Sequence, residues 1–285
     1  MAGFSPMERA EAFLRAGELA DALDALDEQI EAQPADDTAR RMRVGIILRT
    51  ALRDSEGEAL LRSAVADLDT LTTHLFEDVI QRYQLHLKLG SPEAAFQLLR
   101  DTYAKADAIG RDPRLIDLLL EQLYQRGDTA TAINLLFELP KSWRWLEWNG
   151  DFHALKGDHR VALDYYCSAL DTLEESTQDA PEKAVGFIGN LRGQLLIRRA
   201  GMFEQLGLYA EAEVDLEAAE TLIPGDAMIV FRRGLMIFLG GDVQRAAELC
   251  AAAIEAAKPD TVRDSLRGQL ENDPRYAPLA VVVLR

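Results

Sequence analysis

One pattern limits the fold of this chain more than any other feature: six glycines are each followed, at fixed distances, by the same kinds of residue. An alanine stands five residues after each glycine, a large or apolar residue stands nine after it, and the residue seven before it is mostly small. A pattern that returns in this way indicates a chain built from repeated structural units. The glycines are Gly17, Gly90, Gly127, Gly157, Gly207 and Gly241, and the alanines are Ala22, Ala95, Ala132, Ala162, Ala212 and Ala246.

Each unit is predicted to be a pair of helices that meet at its glycine. Apolar residues recur before the glycine at helical spacing, as Leu115, Leu119 and Leu123 do before Gly127. Glycine ends a helix readily because it accepts the left-handed cap conformation, and alanine in the second helix lets the two helices approach closely. Such a pair cannot bury its apolar face alone, so neighbouring pairs must stack. Prolines stand where second helices would end, at Pro34, Pro224 and Pro259.

Three of the units resemble the tetratricopeptide repeat. They span residues 142–170, 196–224 and 230–259, and the first of them carries Gly150, Gly157, Asp158, Ala162, Tyr166 and Ala169. The resemblance covers most of the chain and implies a stand-alone, bacterial-type member of that family. It implies an all-α fold, a right-handed α-α superhelical solenoid of about seven helical hairpins with a C-terminal cap.

We predict one domain over residues 1–285. The predicted capping segment covers residues 261–285, where the apolar run 280–284 either packs on the last repeat or contacts a partner or a second copy of the chain. The predicted repeats span about 3–36, 37–75, 76–112, 113–142, 143–176, 182–226 and 227–260.

Three of these repeats depart from the common pattern. The second has no turn glycine, so its helices, expected over 38–52 and 56–72, would be joined at Arg53, Asp54 and Ser55. Pro140 is expected to shorten the second helix of the repeat at Gly127. An insertion at 176–181 is followed either by an unusually long helix or by one that is broken at Gly186 and Gly189.

Composition excludes several classes of function. The formal net charge of −17 would repel nucleic-acid phosphates, so nucleic-acid binding is not expected. No stretch approaches the roughly 20 apolar residues that span a bilayer, and the N-terminus lacks a signal segment, so membrane association and export are not expected. Two cysteines, Cys167 and Cys250, read as small buried apolar groups in a reducing compartment. These features predict a cytoplasmic protein.

The sequence offers little chemistry. It has no phosphate-binding loop and no paired-histidine zinc motif. The nearest approach to a metal site is Asp151, His153, Asp158 and His159, but His153 falls on a packing position and the last two fill the turn between helices. We therefore predict no catalytic residues, no metal, no cofactor and no enzyme activity.

The resemblance implies a concave groove, lined by the first helix of each pair, in which peptides bind. The positions carried over stand ten, nine, six and three residues before a turn glycine. With two neighbouring arginines, the predicted groove residues are Arg114, Asp117, Glu121, Tyr124, Arg144, Glu147, Trp148, Asp151, Arg198, Phe231, Arg232 and Phe238.

Two features of this set have alternative explanations. Four carboxylates, from Asp117, Glu121, Glu147 and Asp151, would attract a basic segment if they faced one groove. Alternatively, Arg114 and Arg144 neutralise them in a solvated ladder of ion pairs, which would contribute little. Trp148 likewise is either a packing residue, as Trp143 and Trp145 are expected to be, or an anchor for a partner.

The leading hypothesis is a scaffold or adaptor that holds a protein or peptide in the groove, with a basic segment as one candidate. A second hypothesis is a sensory or regulatory module of a signalling or transcription system that acts through a partner. A third, less favoured, is an enzyme on a closed helical toroid that uses the groove carboxylates as acids or bases.

Overall fold

The structure is a computed structural model that describes residues 3–50 and 55–284. Within those ranges it contains helices and no strands, so the predicted all-α class is confirmed. None of the described helices is long and apolar enough to cross a membrane. The described residues form two 3-10 helices, Glu182–Ala184 and Pro274–Tyr276, and sixteen α-helices: α1 (Pro6–Ala16), α2 (Leu19–Ala32), α3 (Asp37–Thr50), α4 (Ser55–Asp69), α5 (Phe76–Lys88), α6 (Pro92–Ala104), α7 (Pro113–Gln125), α8 (Thr129–Phe137), α9 (Trp143–Lys156), α10 (His159–Thr177), α11 (Val185–Gln205), α12 (Tyr209–Leu222), α13 (Ala227–Leu239), α14 (Val243–Ala256), α15 (Asp260–Asn272) and α16 (Ala277–Val283).

The helices pack in sequential pairs within two compact units, unit 1 (Met1–Gln122) and unit 2 (Leu123–Arg285). In unit 1 the pairs are α1 with α2, α3 with α4 and α5 with α6. In unit 2 they are α9 with α10, α11 with α12 and α13 with α14. The helical hairpin is therefore the building block in both units, while the division of the chain into seven repeats of one domain stays a prediction.

All six turn glycines adopt the left-handed backbone conformation, with φ between 68° at Gly127 and 104° at Gly241. In each turn the amide of the next residue donates a hydrogen bond to the carbonyl oxygen five residues earlier, as Asp158 does to His153 at 2.9 Å. These bonds satisfy the last carbonyl groups of the helix that ends there. The glycine turns predicted from the pattern are confirmed.

The small and large positions of the pattern contact each other across the hairpin. A methyl group added to Gly150, seven residues before a turn glycine, would lie 2.5 Å from the ring of Tyr166, nine residues after that glycine. The equivalent pair is Gly234 and Cys250, where the added carbon would lie 2.6 Å from the sulfur. In these two hairpins the missing side chain on one helix leaves room for a larger group of the other helix to be buried.

Replacing Gly150 with alanine is expected to lower the free energy of unfolding by about 1–3 kcal/mol, because the new methyl group overpacks the site. In an uncrowded helix the same change would stabilise by roughly 0.5–1 kcal/mol. Urea denaturation followed by circular dichroism measures the difference. Gly189→Ala in α11 is the matched control, since the nearest atom there is 3.6 Å away. Equal stabilities for the two variants would argue against the contact between Gly150 and Tyr166.

The irregular repeats are built as follows. Helices α3 and α4 occupy the degenerate second repeat, while the proposed junction at Arg53 and Asp54 lies outside the described residues. Helix α8 has only nine residues and ends at Phe137, which confirms the shortening expected before Pro140. Helix α11 runs for 21 residues without a break at Gly186 or Gly189, so the long-helix alternative is correct.

An arginine cluster that the sequence did not reveal holds α3 in unit 1. The buried carboxylate of Asp67 accepts hydrogen bonds from Arg40 at 2.8 Å and from Arg43 at 2.7 Å. The Arg41 side chain donates to both carboxylate oxygens of Asp78 in α5, at 2.8 and 3.0 Å. Three arginines that lie close together in the sequence therefore form ion pairs within unit 1 and do not form a basic surface.

The C-terminal segment packs on the last hairpin. Tyr276 and Leu279 are buried in a core cluster with residues of α13 and α14, such as Phe231 and Cys250. The predicted cap is therefore present. Val281 and Val282 on α16 remain half exposed.

Candidate interaction face

Three aromatic rings form a cluster in unit 2, which we name the aromatic patch: Tyr124, Trp148 and Phe152. Trp148 and Phe152 lie one turn apart on α9, so their rings share a face of that helix and stack at 5.7 Å between centroids. Tyr124, at the end of α7, meets Phe152 edge-on at 5.7 Å and Trp148 at 6.3 Å. Phe152 is fully buried, Trp148 is half-buried, and Tyr124 is 41% exposed. The aromatic patch thus consists of one buried ring, Phe152, and two rings that solvent can reach, Tyr124 and Trp148.

A polar network adjoins the aromatic patch and joins three helices of unit 2. The Asp151 carboxylate on α9 accepts a hydrogen bond from the Tyr166 hydroxyl on α10 at 2.6 Å and from the Arg198 guanidinium on α11 at 2.7 Å. A second nitrogen of Arg198 lies 2.9 Å from the Glu147 carboxylate. The Arg198 side chain is 45% exposed, against 21% for Glu147 and 9% for Asp151. The surface therefore presents the guanidinium more than the acids.

Burial sets the protonation behaviour of this network. It raises the pKa of the Glu147 and Asp151 carboxyls, and the attraction of Arg198 only partly opposes that rise. It also raises the pKa of the Tyr166 hydroxyl, with a further contribution from the charge of Asp151. For Arg198, burial alone would lower the pKa, but the carboxylates of Asp151 and Glu147 outweigh it and the net shift is upward. Arg198 therefore stays charged and fixed between its two acceptors.

These contacts change the interpretation of the predicted acidic quartet. Asp151 is buried and bonded, so it is not an open carboxylate in a groove. Arg198 of the next hairpin contacts both Asp151 and Glu147, which the sequence interpretation did not foresee, and the charge of Arg144 also acts to lower the pKa of Glu147. Arg144 and Glu121 are exposed and Asp117 is half-buried. In unit 1, Arg114 pairs with Asp112 at 2.8 Å and lies over the ring of Phe76, so it serves local structure.

The remaining predicted residues lie on α13. Phe231 is fully buried in the core cluster that includes Tyr276 of the capping segment, so its assignment to an accessible surface is wrong. Phe238 is half-buried and meets the Tyr276 ring edge-on at 6.1 Å. Arg232 is half-buried, and its guanidinium lies 3.6 Å from the Glu204 carboxylate. Of these three, Arg232 and Phe238 retain accessible atoms.

The histidine-rich segment behaves as a packing element. The His153 ring stacks on Tyr165 with 5.3 Å between centroids, and its Nδ1 lies 3.5 Å from the Asp158 carboxylate. Asp158 pairs more closely with Lys156, at 2.7 Å. Among residues 3–50 and 55–284, no group of three or more His, Cys, Asp or Glu side chains is placed to hold a metal ion.

Known structures with similar folds are helical-repeat proteins. A tetratricopeptide repeat protein from Parabacteroides merdae ATCC 43184 is 15% identical, with a TM-score of 0.53 over 98% of both chains. The C-terminal part of a TPR repeat-containing protein from Cytophaga hutchinsonii is 12% identical, with a TM-score of 0.55 over 91% of this chain and 98% of that one. A chain from the APC/C hetero-tetramer Cut9-Hcn1 is 14% identical, with a TM-score of 0.53, and the match covers all of this chain and 49% of that one.

Sequence comparison gives a more local result. No curated protein matches the chain significantly. Residues 203–261, which include α12 and α13, match the family model described as Tetratricopeptide repeat. The segment contains the turn at Gly207 and the turn at Gly241, both of which close a helix with glycine in the left-handed conformation. Residues 203–261 therefore match the tetratricopeptide repeat, and the described part of the chain has the all-α helical-repeat fold of the solved tetratricopeptide repeat proteins.

Proposed function

We propose that this chain is a protein-interaction scaffold that holds a peptide or protein segment on unit 2, over the aromatic patch and Arg198. The single observation that carries the proposal is that two accessible rings, Tyr124 and Trp148, rest on a buried third ring beside a guanidinium held by two carboxylates. Tyrosine, tryptophan and arginine are the residues that most often dominate binding energy at protein interfaces. A solved hetero-tetramer, Cut9-Hcn1, includes a chain of similar fold, which is consistent with a role in assembly.

The rigidity of this surface supports a binding role. Trp148 is stacked on a side chain that cannot move without opening the core, and Arg198 makes contacts in two directions that fix its plane. A side chain that is already ordered loses less conformational entropy when a partner binds. Folding has already ordered Trp148 and Arg198. Their contacts with a partner would therefore contribute more to affinity than contacts of mobile side chains would.

The chemistry of the anchor follows from the same contacts. The acids of the network are occupied by Arg198, and Asp151 also by Tyr166, so they offer little to a lysine or arginine of a partner. The accessible groups are aromatic rings and a guanidinium. We therefore propose an apolar or aromatic anchor residue whose neighbouring backbone carbonyls face Arg198, in preference to the basic segment suggested by the acidic quartet.

Trp148→Ala is expected to weaken partner binding about 30-fold, as the loss of roughly 2 kcal/mol at an interface hot spot would do. The partner is first captured on the wild-type protein from a native lysate, then purified and titrated by calorimetry. Asp151→Lys is unsuitable here because the buried charge would unfold the site.

Phe137→Ala is the matched control, because Phe137 is 91% exposed in the same unit and lies outside the aromatic patch. It is expected to bind the partner like the wild type. If Trp148→Ala folds normally and binds with unchanged affinity, the aromatic patch is not the binding surface.

A further inference from the structure

Two helices of unit 2 are longer than the fold requires. Helix α10 has 19 residues and α11 has 21, whereas α9, α12 and α14 have 14 and α13 has 13. At 1.5 Å per residue, the excess of about six residues extends each helix by about 9 Å. The insertion at residues 176–181, which interrupts the repeat pattern, lies where α10 ends and before α11 begins. The extra length therefore forms a feature of its own.

The extension passes beyond the helices that pack against it. The last buried residue of α10 is Leu173. On the other side, a methyl group added to Gly189 of α11 would lie 3.6 Å from Leu222 of α12, whereas one added to Gly186 would meet nothing within 4 Å. None of residues 174–188 is buried. We name this segment the α10–α11 tip (residues 174–188).

The surface of the α10–α11 tip combines apolar and acidic groups. Val185 is 62% exposed and Phe187 is 68% exposed. The tip has one basic residue, Lys183, and its acidic residues are Glu174, Glu175, Asp179 and Glu182. Glu174 has a distant partner at the base of the tip, Arg192, at 3.7 Å. An exposed phenylalanine contributes little to folding, because its burial is what would stabilise the chain.

We propose that the α10–α11 tip is a second interaction surface, separate from the aromatic patch, and that it inserts Phe187 into an apolar pocket of a protein partner whose rim carries lysine or arginine. Charge decides the kind of partner. The four carboxylates and one lysine of the tip give it a net charge of −3, which is complementary to a basic rim and would attract it at a distance.

The same charges exclude other occupants. A second copy of the chain would bring another tip of net charge −3 to the contact, in addition to the repulsion between two molecules of net charge −17. An anionic lipid surface or a nucleic acid would be repelled in the same way. A basic protein surface is the occupant that matches both the apolar and the charged parts of the tip.

The probe for this surface is a fluorescein-labelled amphipathic helical peptide of leucine and lysine, titrated with the protein and followed by fluorescence anisotropy. Phe187→Ser is expected to weaken its binding about tenfold, because an apolar side chain that becomes buried is lost. Phe137→Ser, the same change at another exposed phenylalanine of unit 2, is expected to bind like the wild type. Added salt is expected to weaken wild-type binding.

A second variant tests the acidic rim without touching the apolar residues. Glu175→Gln with Glu182→Gln is expected to lower the affinity and to reduce its dependence on salt. The partner titration with Trp148→Ala tests the aromatic patch, whereas the peptide titration with Phe187→Ser and its Phe137→Ser control tests the tip, so the failure of one proposal is distinguishable from the failure of the other. The proposal is overturned if the peptide does not bind, if both phenylalanine variants lose binding equally, if neither does, or if sedimentation shows that the tip joins two copies of the chain.

Discussion

Phe152→Ala is expected to lower the free energy of unfolding by about 3–5 kcal/mol, which is the usual cost of removing a buried phenylalanine ring. Phe152 has no exposed surface, and its ring packs against the rings of both Trp148 and Tyr124. The cavity left by the ring cannot close fully, because the helices on both sides are held by other contacts, such as Asp151 with Arg198. Urea denaturation followed by far-ultraviolet circular dichroism measures the loss.

The matched comparison is Trp148→Ala, which removes a larger but half-buried ring from the same stack. It is expected to cost clearly less stability than Phe152→Ala, because much of its surface already faces water. For partner binding the opposite order is expected when Tyr124 and Trp148 keep their positions in Phe152→Ala: Trp148→Ala then loses more affinity than Phe152→Ala does. Equal losses of stability from the two variants would show that the Phe152 ring is not more deeply buried than the Trp148 ring.

The sequence predicted the hairpin and its turn because both depend on short-range rules. The position of a turn glycine such as Gly157 was predicted from residues at fixed distances along the chain, and the structure confirms its positive φ. The sequence also showed a small residue at Gly150, but its contact with the Tyr166 ring is known only from the structure. The length of α11 was left open between two alternatives, because glycine weakens a helix without always ending it.

The partners of charged residues could not be predicted in the same way. Arg199 and Arg233 occupy the same position, eight residues before a turn glycine. Yet Arg199 bonds forward to Asp215 within its own hairpin, while Arg233 bonds back to Glu217 and Glu220 of the preceding one. A long side chain can reach either neighbouring helix, and the choice depends on where an acid is available. Arg198 was among the predicted groove residues, but its ion pairs with Glu147 and Asp151 depend on the stacking of two hairpins.

The error at Phe231 has a different cause. A family pattern describes a repeat with neighbours on both sides, whereas α13 belongs to the last hairpin before the cap. Phe231 is buried in a cluster that includes Tyr276 and Leu279 of that cap. The Phe187 surface was overlooked for a related reason: the insertion interrupts the repeat, and a repeat pattern carries no information about residues that lie outside it.

Asp215→Ala is expected to lower the free energy of unfolding by about 3 kcal/mol. The Asp215 carboxylate on α12 accepts two hydrogen bonds from the Arg199 guanidinium on α11, both at 2.7 Å. These bonds are the main reason that the pKa of Arg199 lies above its usual value. An arginine is charged at neutral pH even without such a partner, so Arg199 would remain charged after Asp215 is removed. Breaking a buried ion pair costs about 3–5 kcal/mol, and the lower end applies because 24% of the Arg199 side chain is exposed.

Glu213→Ala, two residues earlier on the same helix, is the matched control. Its carboxylate also pairs with an arginine at 2.7 Å, but the Arg245 side chain is 48% exposed and Glu213 is 24% exposed, against 5% for Asp215. Water screens such a pair, so its loss is expected to cost at most about 1 kcal/mol. Both variants are compared with the wild type by urea denaturation at neutral pH. The ion pair of Asp215 holds α11 against α12 only if its removal costs clearly more than the removal of Glu213; similar losses would mean that burial adds nothing to this contact.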